Sequence, residues 1–114
     1  MTRQIEKINK YPPVHPGKTL QRQFFAPLNL DTEQAAQALK IPAYQLQDLM
    51  DGKAKIDLET AYRLGRYFQI EPVMFLNLQQ RYDLEVWKDR QESRIKRQIK
   101  PRSLGEKVNQ IQPQ

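Results

Sequence analysis

Apolar side chains between residues 31 and 52 recur at spacings of three and four, pause for a few residues, and recur again. Ala35, Ala36 and Leu39 fall on one face of a predicted helix, which Asp31 or Thr32 can cap by accepting from its first free amides. Lys40 leads into a turn before Ile41, and Leu46, Leu49 and Met50 then resume the stripe until Gly52 stops it. Pro42 is tolerated in the first turn of that second helix, because a first-turn residue needs no intrahelical N–H bond. The small face at Ala35 and Ala36 lets the two helices approach closely, while Ala43, Tyr44, Gln45, Gln47 and Asp48 fall on the outward side. Two short helices on a tight turn leave no room for a catalytic centre. They match the core of a helix-turn-helix DNA reader, with an ordinary helical pair from a bundle as the alternative.

The flanking segments extend the helical pattern. Pro16 suits a first helical position, and Leu20, Phe24, Phe25 and Leu28 predict a helix whose apolar face closes over the central pair until Pro27 ends it early. After Gly52 a short loop leads to Asp57, a cap candidate, and Leu58, Ala61, Leu64 and Phe68 predict one apolar side of a fourth helix. Pro72 opens a fifth. Val73, Phe75, Leu76, Leu78, Tyr82 and Val86 are too many apolar groups for a single stripe, so more than one surface of it should be covered, one cover being a second copy of the chain. Tyr11, Pro12 and Pro13 block regular structure near the start, and Pro101 and Gly105 do so near the end. The predicted organisation is therefore an extended arm over residues 1–14, an all-α domain of five helices over 15–90, and a basic extension over 91–114 with a frayed ending.

Composition narrows the chemistry. The 114 residues support one small domain with a modest core. Zero cysteines exclude disulfides, thiolate zinc sites and a cysteine nucleophile, which suits a reducing cytoplasm. No apolar run approaches the roughly 20 residues that cross a bilayer, and the first ten residues lack the apolar stretch of a secretory signal, so a cytoplasmic protein without a membrane partner is expected. The formal net charge is +6 and the sequence pI about 9.7. Residues 88–107 hold eight Lys or Arg against three Asp or Glu and so carry most of that excess. Such a segment is either a solvated basic tail or a phosphate-binding arm, and the adjoining helix-turn-helix favours nucleic acid.

Catalytic equipment is poor. There is no glycine-rich phosphate loop, metal spacing or internal repeat, and neither a cofactor nor enzymatic activity is expected. The single histidine, His15, precedes a proline at a helix start, where packing or capping is the expected role. Asp48 with Asp51 and Asp57 with Glu59 sit at helix ends and loops, where capping and dipole effects account for them. Tyr62, Tyr67 and Tyr82 lie at helical spacing, and the core reading is preferred over base stacking.

Three segments together resemble HigA-type antitoxins, a branch of the Xre-like helix-turn-helix regulators with a lambda-repressor-like fold. They are HPGKTLQRQFFAPLNL at 15–30, LMDGKAKIDLETAYRL at 49–64 and EPVMFLNLQQRYDL at 71–84. The match covers roughly residues 15–87, and the specific elements are His15-Pro16-Gly17, Asp51-Gly52-Lys53, Phe75-Leu76-Asn77-Leu78-Gln79 and Tyr82-Asp83-Leu84. The resemblance implies a homodimer that binds a palindromic operator in its own promoter and neutralises a small ribonuclease toxin of the HigB kind, which is of the RelE type.

Departures from the family pattern bear on the expected DNA contacts. Lys40 stands where Gly is frequent, Pro42 where Ser or Thr is, and Glu71 where Ser precedes the proline. The recognition helix has no Arg or Lys, so the commonest bidentate contact to guanine cannot come from it. Base reading is expected from Gln45 and Gln47, which pair with adenine, and from Tyr44. Ala43 lies beside them, and Asp48 either repels phosphates or accepts from cytosine. Backbone contacts are expected from the amides at the start of the helix that follows Asp31, from Gln34 beside them, and from Lys53 and Lys55. Two alternatives are a free-standing regulator without a toxin and a toxin-binding module whose DNA surface has weakened.

Overall fold

A computed structural model describes residues 12–104, all of whose regular elements are helical. The first helix, α1, begins α-helical at Pro16–Leu20, widens into a π-helical turn at Gln21–Phe25 and closes in a 3-10 turn at Ala26–Leu28. It starts where His15 Nδ1 accepts the Gly17 N–H at 2.9 Å. The wider turn brings both adjacent phenylalanines to the core. Phe25 is buried, and Phe24 lies 5.1 Å from the Phe68 ring and 5.4 Å from that of Phe75. Pro27 does not terminate the helix itself; the chain turns at Asn29, whose φ of 56° is left-handed. Leu28, expected on the apolar face, is 56% exposed because the change of winding rotates it outward.

Helix α2 spans Thr32–Leu39 and is capped by Asp31, not Thr32. The Asp31 carboxylate accepts the Gln34 N–H at 2.7 Å and the Gln34 side chain accepts the Asp31 N–H at 3.0 Å, a reciprocal capping box. Helix α3 spans Ala43–Met50, with Pro42 as its N-cap, one position before the first turn. Helix α4, Leu58–Phe68, is capped by the Asp57 carboxylate on the Thr60 N–H at 2.8 Å. Helix α5 runs unbroken from Pro72 to Gln98, about 40 Å at 1.5 Å per residue. The expected boundary at residue 90 falls inside α5.

The core gathers Leu20, Phe25, Ala36, Leu39, Leu46, Leu49, Leu64 and Phe75 at the meeting point of the five helices, and each large side chain there contributes about 1.5–3 kcal/mol by leaving water. Helices α1 and α3 touch through backbone. A Cβ at Gly17 would fall on the Leu49 carbonyl, so only glycine fits. One expected core member is displaced: Leu58 is 62% exposed. At 100° per residue it sides with Tyr62, away from the buried line of Ala61, Leu64 and Phe68. On α5 only Phe75 and Gln79 are fully buried; Leu76, Leu78, Tyr82 and Val86 are half-buried and Val73 is exposed. Among the described residues no helix is long and apolar enough to cross a membrane. The expected arm falls mainly at residues 1–11, outside the described residues, as does the polar ending from 105 onward.

Candidate nucleic-acid interface

Helix α3 stands on the surface with its polar side free. Leu46 and Leu49 are buried and Met50 half-buried, which turns Ala43, Tyr44, Gln45 and Gln47 outward; Tyr44 is 72% exposed. Asp48 is half-buried. Its backbone carbonyl accepts the Lys53 N–H at 2.8 Å, closing the turn that follows α3. Gln47 is already engaged: its side-chain amide donates to Asp51 Oδ1 at 2.9 Å. Gln45 has no such tether among the described residues, so of the two glutamines it is the one free to reach a base edge. The α3 amides at Gln45 and Leu46 bond back to the Pro42 carbonyl, and those of Ala43 and Tyr44 face forward from the helix start.

The other expected contacts surround this helix unequally. Gln34 begins α2 beside an open depression also lined by Gln37, Lys40 and Ala43. Its side-chain oxygen belongs to the capping box, which leaves its NH2 as the donor. Lys53 is exposed in the loop after α3. Lys55 reaches back to α5 and pairs with Asp83 at 3.4 Å, so a phosphate would have to compete with that carboxylate.

Three features of the site were not foreseen. Lys40 takes the left-handed conformation, φ 60°, at the end of α2, and so holds a backbone geometry usually given to glycine while presenting an exposed ammonium at the turn. Arg63 on α4 donates to the Leu39 carbonyl at 3.1 Å and, through Nε and Nη2, to the one oxygen Oε2 of Glu59 at 3.1 and 2.8 Å, bracing the turn between α2 and α3. The i, i+4 pair of Glu59 and Arg63 was visible as a local signal, whereas the bond to Leu39, 24 positions away, was not. Lastly, Tyr62 is 62% and Tyr67 40% exposed, contrary to the core reading, because α4 buries its opposite side; Tyr82 is half-buried, its ring 4.9 Å from that of His15.

The electrostatics are those of a structural scaffold. Asp57 is held below the usual carboxylate range by the Thr60 backbone N–H and then its hydroxyl. Burial lowers the His15 pKa, with the Ala54 carbonyl and the Asp83 charge pulling it partly back. Because Nδ1 is occupied as acceptor, the neutral ring carries its proton on Nε2. Among the described residues no three His, Asp or Glu side chains converge as a metal site.

No family model matches the chain. Virulence-associated protein I of Dichelobacter nodosus is 32% identical over 78 residues, 68% of this chain and 72% of the relative. A helix-turn-helix transcriptional regulator of Haemophilus influenzae is 35% identical over 72 residues, 63% of this chain and 67% of its own length. The Pseudomonas aeruginosa antitoxin HigA, solved with the higBA promoter, superimposes with a TM-score of 0.75 at 31% identity, covering 78% of this chain and 97% of its own. A HigA-family antidote protein of Coxiella burnetii gives 0.75 at 29% identity, covering 79% of this chain and 98% of its own. With five helices in this order, an outward α3 and these relatives, the chain belongs to the HigA-type antitoxins of the Xre-like helix-turn-helix family.

Proposed function

We propose that this is a non-enzymatic cytoplasmic antitoxin that binds the promoter of its own operon as a homodimer, represses it by occlusion, and neutralises a HigB/RelE-like ribonuclease. The observation that carries the DNA part is the exposed polar side of α3, with Tyr44 and Gln45 free of side-chain partners among the described residues. Pseudomonas aeruginosa relatives were solved with operator DNA, which supports the same use of this surface here. In this reading Gln45 and Tyr44 read bases, while Gln34, Lys53 and the α2 and α3 amides hold phosphates. Ala43 leaves room for close approach, Gln47 is restrained by its bond to Asp51, and Asp48 is set back from the groove.

The dimer is assigned to α5. Val73, Asn77, Gln80, Leu84 and Trp87 follow one another at spacings of four and three along its outward side; Val73 is 55%, Leu84 57% and Trp87 44% exposed. This is the spacing of a helix–helix seam. A second copy on that seam would set two α3 helices for successive major-groove faces, roughly 34–36 Å apart. The deciding experiment is a gel shift on DNA upstream of the gene with sedimentation of the free protein. Sequence-specific binding by a dimer supports the reading; a monomer, or equal affinity for random duplex, overturns it. The toxin part is tested by co-expression with the product of an adjacent small basic gene, whose growth arrest this chain should relieve.

A further inference from the structure

The side of α5 that docks on the loop after the recognition helix continues well past that contact. Gln79 accepts the Ile56 N–H at 2.9 Å, and Asp83, one turn on, pairs with Lys55. Continuing along that side at helical spacing past Val86 come Arg90, Arg94 and Arg97, all exposed. Arg94 donates to the neutral Gln91 at 2.9 Å, and Arg90 and Arg97 form no ion pair among the described residues. Three guanidinium groups thus line about 10 Å of helix, and the carboxylate that precedes them on that side, Asp83, is paired with Lys55. Lys55 stands at the near end of the same line through its pair with Asp83.

We propose that the distal third of α5, through Arg90, Arg94 and Arg97, is a second, sequence-independent phosphate-binding element for duplex DNA, separate from the α2–α3 reading unit. The inference rests on the DNA-binding reading of the chain. The chemistry is specific to a polyphosphate. Guanidinium forks match phosphate oxygens, and a row of them at fixed spacing on a rigid helix displaces condensed counterions without reading bases. It also answers the lack of cations on α3, since affinity missing from the reading helix is supplied by a neighbouring element of the same protomer.

The test is the salt dependence of binding of the full chain to its upstream promoter fragment and to a random duplex of equal length. Arg90→Gln/Arg94→Gln/Arg97→Gln is compared with a control that removes three exposed cations elsewhere, Arg22→Gln/Arg66→Gln/Arg81→Gln; helicity by circular dichroism confirms that each folds. The first variant should flatten the slope of log K against log salt by up to roughly 2.7 per protomer, about 0.9 for each phosphate no longer neutralised. It should weaken specific and random binding by the same factor, leaving their ratio unchanged. An unchanged slope, an equal flattening in the control, or a loss confined to the specific site overturns the proposal while leaving the DNA reading in place. If the variant keeps its DNA slope but releases a co-expressed protein partner, the row is a protein-docking surface instead. Absence of specific binding by the wild-type chain defeats both.

Discussion

The side chain of Gln79 on α5 accepts the backbone N–H of Ile56 at 2.9 Å, a buried bond that fixes the loop leading out of the recognition helix. The same side chain donates to Asp83 at 2.9 Å, so both ends of its amide are used. A polar residue that is only 6% exposed is tolerated here because its hydrogen bonds replace those given up to water.

Replacing Gln79 with Leu removes the acceptor and leaves the Ile56 N–H buried without a partner. The expected loss is about 1–3 kcal/mol of folding stability in denaturant titration. Exchange of the Ile56 amide should accelerate beyond the global change, because the loop loses its tether to α5. Uniform acceleration at all core amides would assign Gln79 to packing alone.

Gly17→Ala places a methyl group on the Leu49 carbonyl, and α1 has to move away from α3. Overpacking of this kind costs about 1–3 kcal/mol. In an unconstrained helix the same change would be favourable, since Ala is the better helix former. The sign of the measured change therefore decides whether the backbone contact between α1 and α3 is as close in solution.

How far such features could be read from sequence depends on how far apart the partners lie. The caps of α2 and α4 were legible, because Asp31 and Asp57 bond to amides three residues on. The stop at Gly52 and the outward side of α3 were legible for the same local reason. Arg63 on the Leu39 carbonyl and Gln79 on the Ile56 N–H join residues 24 and 23 positions apart, and no local pattern announces them. Leu58 and Tyr62 are exposed against the sequence expectation because periodicity defines a stripe and leaves open which side of it the neighbours cover. The π turn in α1 likewise follows from two adjacent phenylalanines both being drawn to the core, a tertiary demand that overrides the regular winding.

His15 supplies a pH dependence with a definite sign. Its pKa in the folded chain lies below the ordinary value of 6.5, first because of burial, so the folded state binds the proton less readily than the unfolded chain. Stability is then fully present above about pH 6.5, declines as the pH falls below that, and levels off beneath the folded value. Protonation also removes the Nδ1 lone pair that caps α1 at Gly17. His15→Asn, which retains a capping oxygen without a titrating ring, should flatten the stability profile between about pH 7.5 and 5. An unaltered slope would exclude His15 as its source.

Gln45 and Gln47 should differ in DNA binding although they sit two residues apart on α3. A glutamine that pairs with adenine uses its oxygen and one N–H, and Gln47 already gives one of its two amide hydrogens to Asp51 at 2.9 Å. A base contact from Gln47 is therefore made with the amide held in the direction Asp51 sets or at the cost of that bond, and either offsets part of the gain. Gln45→Ala should therefore lower discrimination between operator and random duplex by about 1–3 kcal/mol, the value of one bidentate contact, and Gln47→Ala by distinctly less. Asp51→Ala frees Gln47 and removes a negative charge near the backbone, so it should tighten binding to both duplexes and make a subsequent Gln47→Ala more costly than in the parent. Fluorescence anisotropy on the four variants at one fixed salt concentration measures the coupling directly. If the Gln47 and Asp51 effects are additive, the bond between them is not maintained on DNA, and the two glutamines read the groove on equal terms.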